Sequence, residues 1–132
     1  MADSVVLEIT ERAPLDAIGR MTQRIAALRA SGYRIAIDDL GAGYAGLSSF
    51  AALEPDIVKL DMSLVRDVHR SPVKRRLIEG VVRACADLGV TLVAEGVEVP
   101  AERDALVESG VDVFQGFLFA RPAPEFPVVA WA

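Results

Sequence analysis

Cysteine, histidine and tryptophan each occur only once among the 132 residues of this chain. Because one cysteine cannot form an internal disulfide and Cys85 lies in a helical pattern, we expect a small, buried side chain in a reducing compartment. The chain also lacks the clusters of histidine and cysteine that are typical of zinc sites. A metal site would therefore be built from oxygen ligands.

Long apolar runs and an excess of positive charge are absent as well. No apolar run approaches the roughly 20 residues of a membrane-spanning helix, and residues 1–4 lack the basic start of a signal peptide. We therefore expect a cytoplasmic protein with no membrane segment. The 19 acidic and 14 basic residues give a net charge of −5, which argues against nucleic acid as a partner. A phosphorylated substrate stays open, because carboxylates can hold metal ions that bind phosphate.

The sequence does contain five short, almost continuously apolar segments that are rich in valine and isoleucine. They lie at residues 5–9, 34–38, 57–60, 91–94 and 111–114. Such segments are typical of parallel strands that are buried on both faces. Helical patterns lie between most of them, at residues 15–31, 47–53, 72–88 and 100–109. The alternation predicts an α/β fold made of βαβ units around a parallel sheet.

Two of the predicted helices carry clear apolar stripes and end signals. In the first, Ile18, Met21, Ile25 and Leu28 recur at helical spacing. In the helix at 72–88, the predicted apolar stripe consists of Leu77, Val81, Ala84 and Leu88. Ser71 suits the position before this helix, Pro72 suits its first position, and Gly89 suits its end.

Polar residues occur at or near the end of every predicted strand. They are Glu8 and Glu11, the pair Asp38 and Asp39, Lys59, Glu95, and Gln115. Because the carboxyl ends of parallel strands meet at one edge, these side chains are expected to converge. Clustered carboxylates repel one another unless a positive group lies among them, so we predict a site for Mg²⁺ or Mn²⁺. The alternative for a single acidic residue is an ordinary helix cap.

Two further features support this site. Lys59 lies within an apolar strand, where an unpaired charge is unfavourable, so its side chain is expected to reach the acidic cluster. There it would pair with carboxylates or orient a reacting water, and a purely structural ion pair is the alternative. A glycine-rich loop that includes Gly41 and Gly43 follows the Asp pair, and its position suggests a loop that covers or supports the site.

Together these motifs resemble the EAL family of cyclic di-GMP phosphodiesterases. The matching segments are Leu7-Glu8-Ile9-Thr10-Glu11, Asp38-Asp39-Leu40-Gly41-Ala42-Gly43-Tyr44, Val58-Lys59-Leu60-Asp61, Glu95-Gly96-Val97-Glu98, Gln115-Gly116-Phe117 and Phe119-Ala120-Arg121-Pro122. The resemblance implies a TIM-like (β/α) barrel that hydrolyses cyclic di-GMP to linear pGpG with two Mg²⁺ or Mn²⁺ ions.

The resemblance also assigns roles to individual residues. It implies that Glu8 and Asp38 bind one ion, that Asp38, Asp39 and Glu95 serve the second, and that Lys59 holds or activates the attacking water. Gln115 would join the water and ligand network, and together with Asp38 it would contact the substrate. Lys59, Glu95 and Gln115 are thus the expected catalytic set, while Glu11, Gly41 and Gly43 would support the loop.

The resemblance covers the C-terminal half of the family's domain. The Glu-Ala-Leu motif of the first strand is not in this chain, nor are the substrate-binding arginine and metal-binding asparagine of the family's early strands; in the loop, Leu40 replaces the usual phenylalanine. We therefore expect residues 1–132 to form a partial barrel with about five strands and two open edges. Open edges invite pairing, so a homo-oligomer or a complementary N-terminal half is the expected partner.

Three hypotheses of function follow. The chain is the metal-bearing half of a cyclic di-GMP phosphodiesterase, incomplete or inactive by itself and active in a completed barrel. Alternatively, it is a non-catalytic module of bacterial signalling that binds cyclic di-GMP or a protein. The third hypothesis, an unrelated metal-dependent barrel enzyme, is disfavoured by the intervals between the motifs.

Overall fold

A computed structural model of the chain describes residues 1–10, 18–42, 46–129 and 131, with the side chain of Ile18 left out. The expected loop residues Glu11 and Gly43 lie outside these described ranges. Among the described residues, no helix is both long enough and apolar enough to cross a membrane.

Five parallel strands form one sheet in the order β1-β2-β3-β4-β5, so each strand lies beside the next one along the chain. Their bounds are β1 Val6–Ile9, β2 Arg34–Leu40, β3 Ile57–Leu60, β4 Thr91–Ala94 and β5 Val113–Phe114. The helices between them are α1 Ile18–Ala30, α2 Gly46–Leu53, α3 Met62–Val65, α4 Pro72–Leu88 and α5 Pro100–Glu108. The predicted α/β class with a parallel sheet and intervening helices is confirmed.

The end signals of the longest helix act as the sequence indicates. The Ser71 side chain accepts a hydrogen bond from the backbone N–H of Lys74 at 3.2 Å, and Pro72 occupies the first turn of α4. Gly89 closes the helix with φ of 69°, a left-handed conformation that glycine adopts without steric cost.

Among the described residues, the buried core forms two clusters. One cluster surrounds β3 and β4, and a second joins α1 to β2. In the second cluster Ile25 is buried, and Met21 and Leu28 pack against it, as predicted for α1.

The predicted core face of α4 is wrong for three of its four residues. Leu77 and Leu88 are 55% and 64% exposed, and Ala84 is exposed, whereas Ile78 and Cys85 are buried. Only Val81 of the predicted stripe packs against the core. The reason is that α4 has apolar residues on two adjacent faces, and helical spacing alone does not tell which of them meets the sheet. The buried state expected for Cys85 is confirmed.

The predicted and observed elements differ most clearly at three places. The strand β2 continues through the Asp pair to Leu40, and β5 is confined to two residues. The short helix α3 directly after β3 had no counterpart among the predicted helices. Its start is capped by Asp61, whose side chain accepts a hydrogen bond from the N–H of Ser63 at 2.9 Å.

Candidate metal centre

A bulge at the end of β2 places the two adjacent aspartates. Ile37 pairs with Val58 and Leu40 pairs with Leu60, so β2 contains one more residue than β3 over this stretch. Asp39 takes a left-handed conformation with φ of 60°, which aspartate tolerates better than most residues. Successive side chains of a regular strand point to opposite faces. The bulge breaks that alternation, so both carboxylates can reach the same region.

Three carboxylates meet at this edge of the sheet. Asp38, Asp39 and Glu95 each offer a ligand oxygen, and these oxygens lie within 4.8 Å of one another. All three residues are partly buried. An all-oxygen donor set with this spacing fits a hard divalent cation such as Mg²⁺ or Mn²⁺. Residues from β2 and from the end of β4 therefore converge as the sequence predicted.

Lys59 links this group to β1. Its ammonium Nζ lies 2.8 Å from Oε1 of Glu8 and 2.5 Å from Oε1 of Glu95. The Lys59 side chain is 9% exposed, so it sits between two carboxylates in a largely desolvated position. The predicted reach of this lysine into the acidic cluster is thus confirmed, and Glu8 is held by the lysine outside the three-carboxylate group.

The crowding of charge shifts two pKa values. Burial raises the pKa of Glu95 to about 7, and a hydrogen bond with Asp38 and the charge of Asp38 act in the same direction, against the opposing effect of Lys59. Burial lowers the pKa of Lys59, but its hydrogen bonds to Glu8 and Glu95 outweigh burial, and the net shift is upward. The lysine therefore stays charged, and Glu95 would gain from a second positive group nearby.

A pocket of about 260 Å³ opens beside the carboxylates. It is lined by Asp39, Asp61, Met62, Glu95, Gly96, Glu98, Gln115, Gly116 and Phe117. Gln115, which was predicted to contact substrate, lies at its exposed rim, and its backbone N–H bonds to the carbonyl of Ala94 at 2.8 Å. The ends of β4 and β5 thus lie beside the three carboxylates.

Glycines allow the close approach of chain segments around this pocket. A Cβ at Gly116 would lie 2.1 Å from the carbonyl oxygen of Val97, so no other residue fits there without movement of the backbone. Gly41, one of the predicted loop-supporting residues, has φ of 104°, and a Cβ there would lie 2.4 Å from Leu64. Gly41, directly after β2, therefore packs on α3.

Sequence reasoning missed one group beside the pocket. Glu102, in the first turn of α5, is 2% exposed and accepts hydrogen bonds from backbone N–H groups on two loops. The available signal was a glutamate at the third helical position, where it can reach back to the residue before the helix. Here Val99 occupies that preceding position instead of serine or threonine, so the sequence pattern was incomplete.

The EAL domain family model matches residues 1–122. The chain belongs to the EAL domain family. Its five parallel strands and intervening helices therefore correspond to part of a TIM-barrel-like EAL domain.

Curated EAL relatives differ in what their names describe. The antirepressor BluF of Escherichia coli, which is regulated by blue light and temperature, is 32% identical over 98% of this chain and 32% of its own length. The cyclic di-GMP phosphodiesterase RocR of Pseudomonas aeruginosa is 38% identical over 92% of this chain and 31% of its own length. The chain thus spans about a third of each relative.

Solved EAL structures superpose closely on this chain. BlrP1 of Klebsiella pneumoniae, in complex with calcium and cyclic di-GMP, gives a TM-score of 0.92 at 44% identity, over 98% of this chain and 33% of that protein. BlrP1 has also been solved with manganese and cyclic di-GMP. A standalone EAL protein of Vibrio cholerae bound to cyclic di-GMP gives 0.93 at 32% identity, over 98% of this chain and 55% of that protein.

Proposed function

We propose that this chain supplies the metal-binding half of a cyclic di-GMP phosphodiesterase site. The observation that carries the proposal is the convergence of Asp38, Asp39 and Glu95 beside the buried Lys59. Two relatives support the proposal. RocR is a cyclic di-GMP phosphodiesterase, and BlrP1 binds cyclic di-GMP together with calcium or manganese. The product expected from hydrolysis of one phosphodiester bond is linear pGpG.

The residues present fit a divalent cation. Asp38, Asp39 and Glu95 would hold the ion, because each offers a carboxylate oxygen and these oxygens lie within 4.8 Å of one another, a donor set that hard divalent cations prefer. Burial and, less strongly, the neighbouring Asp38 raise the pKa of Glu95, and a cation beside it would favour the charged carboxylate. Glu8 would serve a second ion, and its two carboxylate oxygens allow this while Oε1 accepts from Lys59. When bound, such ions lower the pKa of a water and offset charge on the phosphate oxygens.

Lys59 would position the attacking water without acting as a base. Its pKa is raised, so its ammonium keeps its protons in the neutral range. Among the described residues, two carboxylates accept from Nζ, those of Glu8 and Glu95, and a third N–H remains for a water oxygen. Gln115, at the rim of the pocket, offers an amide that can bond to substrate or to water.

The same proposal assigns residues 1–132 to the C-terminal half of an EAL barrel. The match to 55% of the standalone Vibrio cholerae protein supports this assignment. Within the described residues, β1 and β5 each pair with a single strand, so both edges of the sheet are open to further pairing. We propose that the remaining strands of a barrel, from an N-terminal half or a second copy, complete the site.

The proposal is tested by a hydrolysis assay. The purified chain is incubated with cyclic di-GMP and Mn²⁺, alone and together with the N-terminal half of an EAL relative, and pGpG is measured by chromatography. We expect pGpG in the mixture and at least a hundredfold less with the variant Asp38→Asn, which removes a shared ligand charge. Arg76→Gln is the matched control, because it changes a side chain of α4 that is 84% exposed. The mixture that contains this variant should hydrolyse cyclic di-GMP normally. A folded, Mn²⁺-loaded mixture without product would refute the enzymatic proposal.

A second function is favoured by one specific comparison. BluF, which covers nearly the whole chain at 32% identity, is named an antirepressor and not a phosphodiesterase. A chain of this second kind would bind cyclic di-GMP or a protein without hydrolysis. Calorimetric binding of cyclic di-GMP by the mixture in the absence of any pGpG would select it.

A further inference from the structure

Glu102 is a buried carboxylate whose described hydrogen bonds are all with the backbone. Its Oε1 accepts from the N–H of Asp67 at 3.0 Å, and its Oε2 accepts from Glu98 at 3.1 Å and from Val99 at 3.4 Å. With 2% of the residue exposed, water does not replace these contacts readily. A buried carboxylate without such donors would be costly, so the two loops and the side chain fix one another.

One of the two loops held by Glu102 borders the candidate pocket, and the other follows a helix that does. One runs from Glu95 to Val99 and contributes Glu95 and Glu98 to the lining. The other follows α3, whose first residue, Met62, also lines the pocket.

A second contact ties the same two loops together near the surface. The guanidinium of Arg66 meets the carboxylate of Glu98 with two hydrogen bonds of 3.0 Å each. These side chains are 44% and 38% exposed, so solvent weakens their attraction. Glu102 lies deeper and is therefore the stronger of the two connections.

The chain segment between the Glu102 contacts and the ligand residue Glu95 is short. Val97 is fully buried, and its N–H bonds to the carbonyl of Gln115 at 3.1 Å. Gly96 has φ of 72° and faces Met62 so closely that a Cβ there would lie 2.7 Å from it. A shift at Glu98 is therefore transmitted along a short, tightly packed segment to Glu95.

We infer that Glu102 is a positioning residue for the metal centre. By holding both loops it fixes Glu95 relative to Asp38 and Asp39, and it keeps the pocket wall in place. It does not touch the ion or the substrate. The inference rests on the proposed function, because it assumes that the three carboxylates bind a divalent cation.

The number of acceptor oxygens at this position gives a graded test. Glu102→Gln keeps one acceptor at the same length, and Glu102→Met keeps none. The same pair of substitutions at Glu108, which lies on the same helix but is 65% exposed, gives the matched controls. For each full-length chain, the Mn²⁺ dissociation constant is measured by electron paramagnetic resonance, and folding is checked by circular dichroism and thermal melting.

The inference predicts that Mn²⁺ binding weakens as more acceptor oxygens are lost from position 102. We expect the Mn²⁺ dissociation constant to rise about three- to fivefold in Glu102→Gln and at least tenfold in Glu102→Met. Both Glu108 variants should stay within twofold of the wild type. If Glu102→Met does not fold, the Glu102→Gln variant decides the matter by itself.

Failures of the two proposals give different results. A wild-type chain that binds no Mn²⁺ overturns the metal site and the positioning role together. A wild-type chain that binds Mn²⁺, with Glu102 variants that melt at lower temperature but bind the ion equally well, overturns the positioning role alone. That result would make Glu102 a purely structural cap of α5.

Discussion

At the scale of single residues, Lys59 is the group on which the metal-free site depends. Replacing it with methionine leaves Glu8 and Glu95 facing each other without the cation that now lies between them. We expect Lys59→Met to lower the free energy of unfolding by about 2–3 kcal/mol without metal, since one partner of a buried ion pair is lost. Urea unfolding followed by circular dichroism measures this change.

Divalent metal should reverse much of the Lys59→Met loss. A bound ion supplies the missing positive charge, and at about 100 times its dissociation constant it adds roughly 2.7 kcal/mol to the free energy of unfolding of a chain that binds it only when folded. The methionine variant should therefore gain at least as much from Mn²⁺ as the wild type. Arg76→Met, which removes an exposed ion pair with Glu79, should change stability by less than about 0.5 kcal/mol. Equal stability of Lys59→Met and wild type would contradict the ion-pair assignment.

The sequence predicted the members of the site better than their geometry. The convergence of Asp38, Lys59 and Glu95 followed from the rule that parallel strands end at one edge. The bulge with Asp39 in a left-handed conformation did not follow, because it depends on how β2 pairs with β3. Glu102 was missed because Val99 makes the capping pattern incomplete and because another partner, the backbone amide of Asp67, lies 35 residues away in the chain.

At the scale of elements, strand and helix bounds were predicted well where end signals are strong. The bounds of α4, β3 and β4 agree with the prediction at every end residue. The prediction was weakest where tertiary contacts decide, as for the short β5 and for the orientation of α4. Leu77 and Ile78 are apolar neighbours, yet only Ile78 is buried in the core.

The orientation of α4 can be tested through its single cysteine. Cys85 is 2% exposed, and burial raises the pKa of its thiol. We expect Ellman's reagent to label native Cys85 at least a hundredfold more slowly at pH 8 than the urea-unfolded chain. Because the pKa of Cys85 is higher in the folded than in the unfolded chain, the thiol contributes its full stabilisation below the unfolded pKa of about 9. That contribution is lost as pH rises through the folded pKa, so labelling should accelerate there.

A cysteine moved to an exposed position provides the comparison for the adjacent, solvent-facing side of α4. In a Cys85→Ser background, Leu88→Cys places the thiol at a position that is 64% exposed. It should react within about tenfold of the unfolded rate. Fast labelling of native Cys85, or slow labelling of the thiol at position 88, would restore the orientation that the spacing of Leu77, Ala84 and Leu88 suggested.

At the scale of the whole molecule, the two open sheet edges dominate the expected behaviour. A closed barrel hides every strand edge, whereas β1 and β5 each pair with one strand among the described residues. The sequence indicated this state through the number of apolar segments and their order. It did not indicate which partner covers the edges, because any strand with free backbone groups can pair with them.

We therefore expect the purified 14.1 kDa chain to associate in solution. Sedimentation velocity between about 5 and 200 µM should show a weight-average mass that rises with concentration. Val113→Lys places a charge on β5 at a position that is 39% exposed, and lysine on an edge strand opposes pairing, so association should weaken. Leu47→Lys, at a position 74% exposed on α2, changes charge and hydrophobicity equally away from both edges and serves as the control.

The N-terminal half of an EAL relative should compete with this self-association. If the same edges serve both contacts, its addition will replace the larger species with a one-to-one complex, because strand pairing at an edge admits one partner at a time. A complex that forms while the self-associated species persists would place the two contacts on different surfaces. A chain that sediments at the monomer mass over the whole concentration range would show that its edges are protected by other means.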